Sequence, residues 1–283
     1  MRSNQETFGP LVSTNWLCEN IDNEDLAIID ASWHMPNSGR IGSEEYQNCH
    51  IKRAQFFDID LISDTSSNFP HMMPSEAIFN KHVGAMGISN SHRIVVYDSI
   101  GIFSSPRVWW MFRHMGHDKV AVLDGGLKKW IGEGKSISNV ASNPISCEYK
   151  AAKQHYLVKS FDEVMENVAT KEAQIIDARG PARFFGEVPE PRAGLKSGHI
   201  AGSVNLPFAN LINPDGTLID DEALKTELEK ICIDMNSQVI TTCGSGVTAC
   251  ILALAFAKLG KTQVPIYDGS WAEWGATEGA LIE

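Results

Sequence analysis

Short runs of aliphatic and β-branched residues recur along the chain at 27–30, 94–97, 120–123, 175–177, 239–242 and 264–267. They show little polar alternation, so they read as strands buried on both faces. Helical stretches lie between them at 43–49, 106–115, 161–168 and 221–230. A nearly all-apolar stretch from 249 to 259 ends at Gly260, a residue suited to a helix C-terminus. Strands and helices in alternation predict an α/β fold, a mainly parallel sheet with helices on both faces.

The pattern occurs twice. Ile28-Ile29-Asp30-Ala31 returns as Ile175-Ile176-Asp177-Ala178, and His50-Ile51 as His199-Ile200. Asp124-Gly125 with Trp130 returns as Asp268-Gly269 with Trp274, and Gly116 and Gly260 end matching helical runs. The order is preserved at a spacing of roughly 145 residues, the signature of a duplicated unit. The stretch 134–153 is rich in Ser, Asn and Lys, contains Pro144 and has no clear period. The expected organisation is a domain over 8–135, a linker over 136–158 and a second domain over 159–283.

The duplication is not symmetric in chemistry. Cys243-Gly244-Ser245-Gly246-Val247-Thr248 sits between a predicted strand and a predicted helix, whereas in the first half Asp98 falls where Cys243 falls. Gly244 and Gly246 allow backbone N–H groups to turn toward the sulfur, and the helix N-terminus adds partial positive charge. Both favour negative charge on sulfur, the nucleophilic form. Cys243 is the candidate nucleophile and the first domain is expected to be catalytically silent. Cys250 lies too far along the helix to bridge to Cys243 and reads as a packing residue.

A cationic loop accompanies this cysteine. Arg179, Arg183, Arg192 and Lys196 fall between the strand at 175–177 and His199, with only Glu187 and Glu190 opposing them. Pro181, Gly186, Pro189, Pro191 and Gly194 predict an ordered loop without helix. Arginine forks bind carboxylates in a bidentate manner, so Arg183 and Arg192 are candidate anion-binding residues.

Composition narrows the partners. The 283-residue chain is 43% hydrophobic, enough for two ordinary cores, and carries a net charge of -11. That charge, with no basic run, argues against nucleic acid and anionic membrane surfaces. The longest apolar run, 249–257, is too short to span a bilayer. Asn4, Gln5 and Glu6 do not form a signal-peptide pattern. Six scattered cysteines with no C-x-x-C suggest neither a disulfide framework nor structural zinc, and point to a reducing cytoplasm. His114 and His117 have no third ligand nearby in sequence, so no metal and no cofactor is expected.

Several segments together resemble the tandem-domain rhodanese-type sulfurtransferases. They are the Cys243 loop, the Gly186-to-Arg192 segment, Ser197-Gly198-His199-Ile200-Ala201-Gly202-Ser203-Val204-Asn205 and Asp268-Gly269-Ser270-Trp271. His71-Met72-Met73-Pro74-Ser75 extends the likeness into the first half. The resemblance implies two tandem rhodanese-like domains. Cys243 would take up a sulfane sulfur as a persulfide and pass it to a thiol, thioredoxin or cyanide. Arg183 and Arg192 would hold the substrate carboxylate, and Gly244, Gly246, Val247 and Thr248 would line the substrate site. The loop resembles the 3-mercaptopyruvate branch, because thiosulfate-using relatives carry an Arg-Lys pair where this chain has Gly244 and Ser245. Ser245 could then donate a hydrogen bond to a keto oxygen. Relatives of this branch have been assigned a relay between the loop serine and a first-domain histidine. His50 is the nearest match by position, although its twin His199 suggests a fold-level hydrogen bond for both.

The alternatives are a thiosulfate sulfurtransferase and a persulfide carrier or regulatory module. A Cys-x5-Arg phosphatase is disfavoured because its arginine position holds Ala249, and a hydrolase because Cys243 breaks Gly-x-Ser-x-Gly. The expected partners are a small anionic donor and a thiol or thioredoxin acceptor, with the protein acting as a monomer.

Overall fold

The computed structural model describes residues 8–283; Asn4, Gln5 and Glu6 lie outside them. Tertiary contacts gather the chain into two compact units. Unit 1 holds the described residues up to 62, then 74–153 and 213–218; unit 2 holds 63–73, 154–212 and 219–283. Each unit thus includes a short strap from the other half of the sequence.

Unit 1 runs β1 (Leu11–Val12), α1 (Thr14–Asn20), β2 (Leu26–Asp30), α2 (Gly42–Asn48), β3 (His50–Ile51) and β4 (Gln55–Phe56). It continues through α3 (Glu76–Ala85), β5 (Arg93–Tyr97), α4 (Ser105–His114), β6 (Val120–Leu123), α5 (Gly126–Gly132) and β7 (Ile137–Ser138). Its main sheet has the order β1-β6-β5-β2-β4, parallel throughout. Unit 2 runs β8 (Val158–Lys159), α6 (Phe161–Thr170), β9 (Ala173–Asp177), α7 (Pro181–Phe184) and β10 (Val204–Asn205). It ends with α8 (Asp221–Lys230), β11 (Gln238–Thr242), α9 (Ala249–Lys258), β12 (Ile266–Tyr267) and α10 (Ser270–Trp274). Its parallel sheet, β10-β9-β11-β12-β8, has the unit 1 order read from the other end.

The strand registers fix the internal equivalence. Asp30 pairs with Tyr97 at the end of β5, and Asp177 pairs with Thr242 at the end of β11. Asp98 and Cys243 are therefore the first residues beyond matching central strands. Both lie at carboxyl ends of parallel strands, where open α/β sheets place their sites.

Both faces of each sheet are covered. Ile28, Val95, Ala121 and Leu123 pack with Trp16 and Leu17 of α1 and Leu127 and Trp130 of α5. In unit 2, Ile175, Ile240 and Tyr267 pack with Val164 of α6 and with Trp271 and Trp274 of α10. On the opposite faces, α4 packs over β5 and β6, and α9 over β11 and β12. Residues 249–257 are all buried, as a helix apolar all round must be. Among the described residues no helix is long and apolar enough to cross a membrane.

Three local features differ from the sequence reading. Only Ile266–Tyr267 of the stretch 264–267 forms a strand, because Pro265 has no N–H to donate and only its carbonyl bonds, to Thr241 N at 3.0 Å. The arginine loop contains the one-turn helix α7, opened by Pro181 at its first position. The stretch 134–153 carries structure of its own. β7 pairs antiparallel with β3, and Tyr149 is buried against Phe79, Phe112 and His117, with ring centroids at 5.8, 6.2 and 5.9 Å.

Candidate active site

The loop from Cys243 to Thr248 joins β11 to α9 and is bound tightly to α10. The carbonyls of Cys243 and Gly244 accept from Trp271 N and Ala272 N, each at 2.9 Å. Ser270 Oγ accepts from Cys243 N at 3.3 Å and Gly246 N at 3.1 Å, and donates to the Tyr267 carbonyl at 2.8 Å. Ser270 holds φ at +50° to do so, a conformation that costs a non-glycine residue energy. Cys243 is only 2% exposed, and Ser245, Gly246 and Val247 are also buried, while Gly244 and Thr248 are half-buried. Gly246 has φ +74° and needs to be glycine for that reason. Gly244 is constrained differently: a Cβ there would lie 3.0 Å from Arg183 Nη2, so the guanidinium would have to give way slightly. The Arg183 guanidinium therefore lies against the residue that follows Cys243.

The matching loop in unit 1 shows what this backbone geometry binds. The Asp98 carboxylate accepts N–H bonds from Ile100, Gly101, Phe103, Ser104 and Ser105 at 2.8–3.0 Å, and the Ser105 hydroxyl at 2.6 Å. It is 1% exposed. The unit 1 loop is thus an anion cradle occupied by its own side chain, in the register where unit 2 carries a thiol.

The cationic loop is an ordered cluster. Arg179, 2% exposed, binds Asp177 through Nε and Nη2 at 2.9 and 2.7 Å and Glu190 through Nη1 at 2.9 Å. Its guanidinium stacks 4.2 Å from the Trp271 ring. Arg183, on α7, gives Nε and Nη2 to Glu190, the former at 3.2 Å. Arg192 is half-buried, two residues beyond Glu190 on the same loop.

His71 stands beside Ser245. Its Nδ1 lies 3.1 Å from Ser245 Oγ and 3.3 Å from the Ser245 carbonyl, and it is 6% exposed. The strap 63–73 brings it there, anchored where Met73 N–H donates to the Asp268 carboxylate at 2.7 Å. Unit 1 repeats the device: Leu218 N–H of the strap 213–218 donates to Asp124 at 2.9 Å. Two residues before each anchor the backbone is left-handed, at His71 (φ +62°) and Gly216 (φ +89°). Unit 1 uses glycine there, whereas unit 2 holds a histidine in the strained conformation.

His50 occupies a different setting. Its Nδ1 and Nε2 lie 2.6 Å and 3.2 Å from the carbonyls of Tyr46 and Val140, and its ring stacks on Tyr46. His199 has the analogous arrangement, with Nδ1 3.0 Å from the Phe184 carbonyl and its ring on Phe184. Both histidines tie a helix to the strand or bridge that follows it. The sequence signal available for His71 was the His71-to-Ser75 segment, not the duplicated His50. Cys250 is fully buried and its thiol donates to the Gly246 carbonyl at 3.2 Å. His114 stacks on Trp110, and His117 Nε2 lies 3.0 Å from the His92 carbonyl.

A model of the Rhodanese-like domain matches residues 13–133 and 160–277. The chain is 44% identical to the mitochondrial thiosulfate/3-mercaptopyruvate sulfurtransferase 1 of Arabidopsis thaliana, covering 99% of this chain and 80% of that protein. It is also 44% identical to the thiosulfate sulfurtransferase of Rattus norvegicus, over 95% and 93% of the two chains. SseA of Escherichia coli, described as a 3-mercaptopyruvate sulfotransferase with the rhodanese fold, superposes with a TM-score of 0.86 at 37% identity, over 93% and 99% of the chains.

Proposed function

This chain belongs to the rhodanese-like family as a tandem-domain sulfurtransferase, and from that premise we propose that it moves sulfur from 3-mercaptopyruvate through Cys243 to a thiol acceptor. The Cys243 thiolate attacks the donor sulfur and an S–S bond forms as the C–S bond breaks. The electron pair passes to carbon as the enolate of pyruvate, which then takes a proton. An acceptor thiolate attacks the outer sulfur of the persulfide and returns Cys243 as thiolate. Low-molecular-weight thiols, thioredoxin or cyanide can serve as acceptors.

The observation that carries the donor assignment is the charge around the loop. No cation follows Cys243: Gly244 and Ser245 stand there, and the nearby Arg183 lies against Gly244. Arg183 and Arg192 suit one carboxylate, and the loop gives a dianion no second cation. Ser245, with His71 Nδ1 3.1 Å from its Oγ, would donate toward a keto oxygen as enolate charge develops and pass a proton. The cradle of unit 1, filled by Asp98, supports a loop that stabilises negative charge.

Relatives named for thiosulfate are as similar as those named for both donors, so thiosulfate is the second reading. Steady-state comparison of the two donors with one acceptor separates them. We expect kcat/KM for 3-mercaptopyruvate to exceed that for thiosulfate at least tenfold; a preference for thiosulfate refutes the assignment. Six cysteines, none of them in a disulfide among the described residues, support action in a reducing cytoplasm. The proposal includes a monomer, testable by sedimentation.

A further inference from the structure

Arg183 does not present its full charge to the site. Glu190 lies between Arg179 and Arg183, and its side chain is 2% exposed. It accepts Arg179 Nη1 on one side, and Arg183 Nε and Nη2 on the other. Arg179 is held in turn by Asp177 and the Trp271 ring. Two guanidinium groups and two carboxylates thus form one cluster without net charge. Glu190 uses one edge of the Arg183 fork, and Nη1 makes no hydrogen bond among the described residues. The same guanidinium lies beside Gly244, with Nη1 3.6 Å from where a Cβ would stand.

Resting on the sulfurtransferase reading above, we propose that Glu190 is a positioning and specificity-determining residue. It pins Arg183 against the Cys243 loop and cancels one positive charge there, so that the site favours a monoanionic sulfur donor over a dianionic one. Removing its charge adds one positive unit to the cluster. A dianion gains about twice as much from that unit as a monoanion does, and any loss of Arg183 placement weakens both donors alike. The ratio of the two donors therefore isolates the charge.

The test compares parent, Glu190→Gln and Glu190→Asp with 3-mercaptopyruvate and thiosulfate, at low and high salt, with thermal unfolding as the folding check. Glu190→Gln should raise the thiosulfate-to-mercaptopyruvate ratio of kcat/KM about tenfold over the parent, the effect expected of one nearby unit charge at a partly screened site. High salt should reduce that rise. Glu190→Asp keeps the charge and shortens the reach, so the ratio should stay at the parent value while KM rises for both donors with kcat nearly unchanged. An unchanged ratio in folded Glu190→Gln overturns the proposal. If Glu190→Gln does not fold, Glu190→Asp decides: a parent-like KM, or a fall in kcat alone, overturns it. A parent that prefers thiosulfate would refute the donor assignment and leave this test intact, because the ratio is read as a change from the parent.

Discussion

Asp30 and Asp177 end matching strands but meet different surroundings. Asp177 is answered by the Arg179 guanidinium; the corresponding place in unit 1 is Ser32, whose N–H donates to Asp30 at 2.9 Å but which brings no cation. Burial, the largest influence, pushes the Asp30 carboxyl from 3.8 up to about 6. The folded protein then binds a proton that the unfolded chain has released, so this residue lowers stability as pH rises from about 4 to about 6. Above that range the loss is complete, at most about 3 kcal/mol for a shift of this size. Asp30→Asn should remove the decline and raise stability at neutral pH, read by denaturant unfolding from pH 4 to 7.5. A parent-like pH profile in the variant would show that Asp30 is not the cause.

The candidate site and its neighbours give sharper outcomes. Cys243→Ser should abolish sulfur transfer with the fold retained; measurable persulfide turnover in that variant would refute the nucleophile. Cys250→Ser should keep most activity, since a hydroxyl can donate to the Gly246 carbonyl as the thiol does. Arg183→Ala should lower kcat/KM for mercaptopyruvate by about ten- to a hundredfold, the size of a lost charged hydrogen bond, mainly through KM.

At the scale of elements, the Cys243 loop was legible because strand, glycines and helix follow one another within a few residues of sequence. The cationic loop was legible as charge, but Glu190 looked like an opposing surface acid and is instead a buried hub. Helix α3 was not read, since Ile78, Phe79 and Val83 are its only large apolar side chains. His71 could not be derived from local pattern either, because its contact with Ser245 spans 174 residues. That contact depends on the strap's anchor. Asp268→Ala should free Met73, seen as faster amide exchange there, and lower kcat about tenfold, the scale of one charged hydrogen bond. Asp124→Ala should speed exchange at Leu218 in unit 1 and leave kcat near the parent value. Equal losses of kcat in both variants would mean the straps only support the fold.

At the scale of the whole molecule, the duplicated frame carries two different loops: the one in unit 1 is filled by the Asp98 carboxylate, and the one in unit 2 begins with the Cys243 thiol. Asp98 satisfies five N–H groups and a hydroxyl internally, so removing its carboxylate leaves buried donors without an acceptor. Asp98→Ala should therefore destabilise the protein by about 3–5 kcal/mol, the cost of breaking a buried charged network, and more than Cys243→Ala does. Each chain should carry a single persulfide, countable by mass.

The exchanged straps also bear on how the protein is made. Unit 1 needs residues 213–218, which leave the ribosome only after most of the second half has been translated. Amino-terminal domains usually close while the rest is being synthesised, at about 5–20 residues per second. Here the Leu218 N–H can reach Asp124 only after that stretch has emerged, so the first unit is expected to close late. Nascent chains stalled before residue 213 emerges should stay open to protease in unit 1, and those stalled beyond it should become resistant.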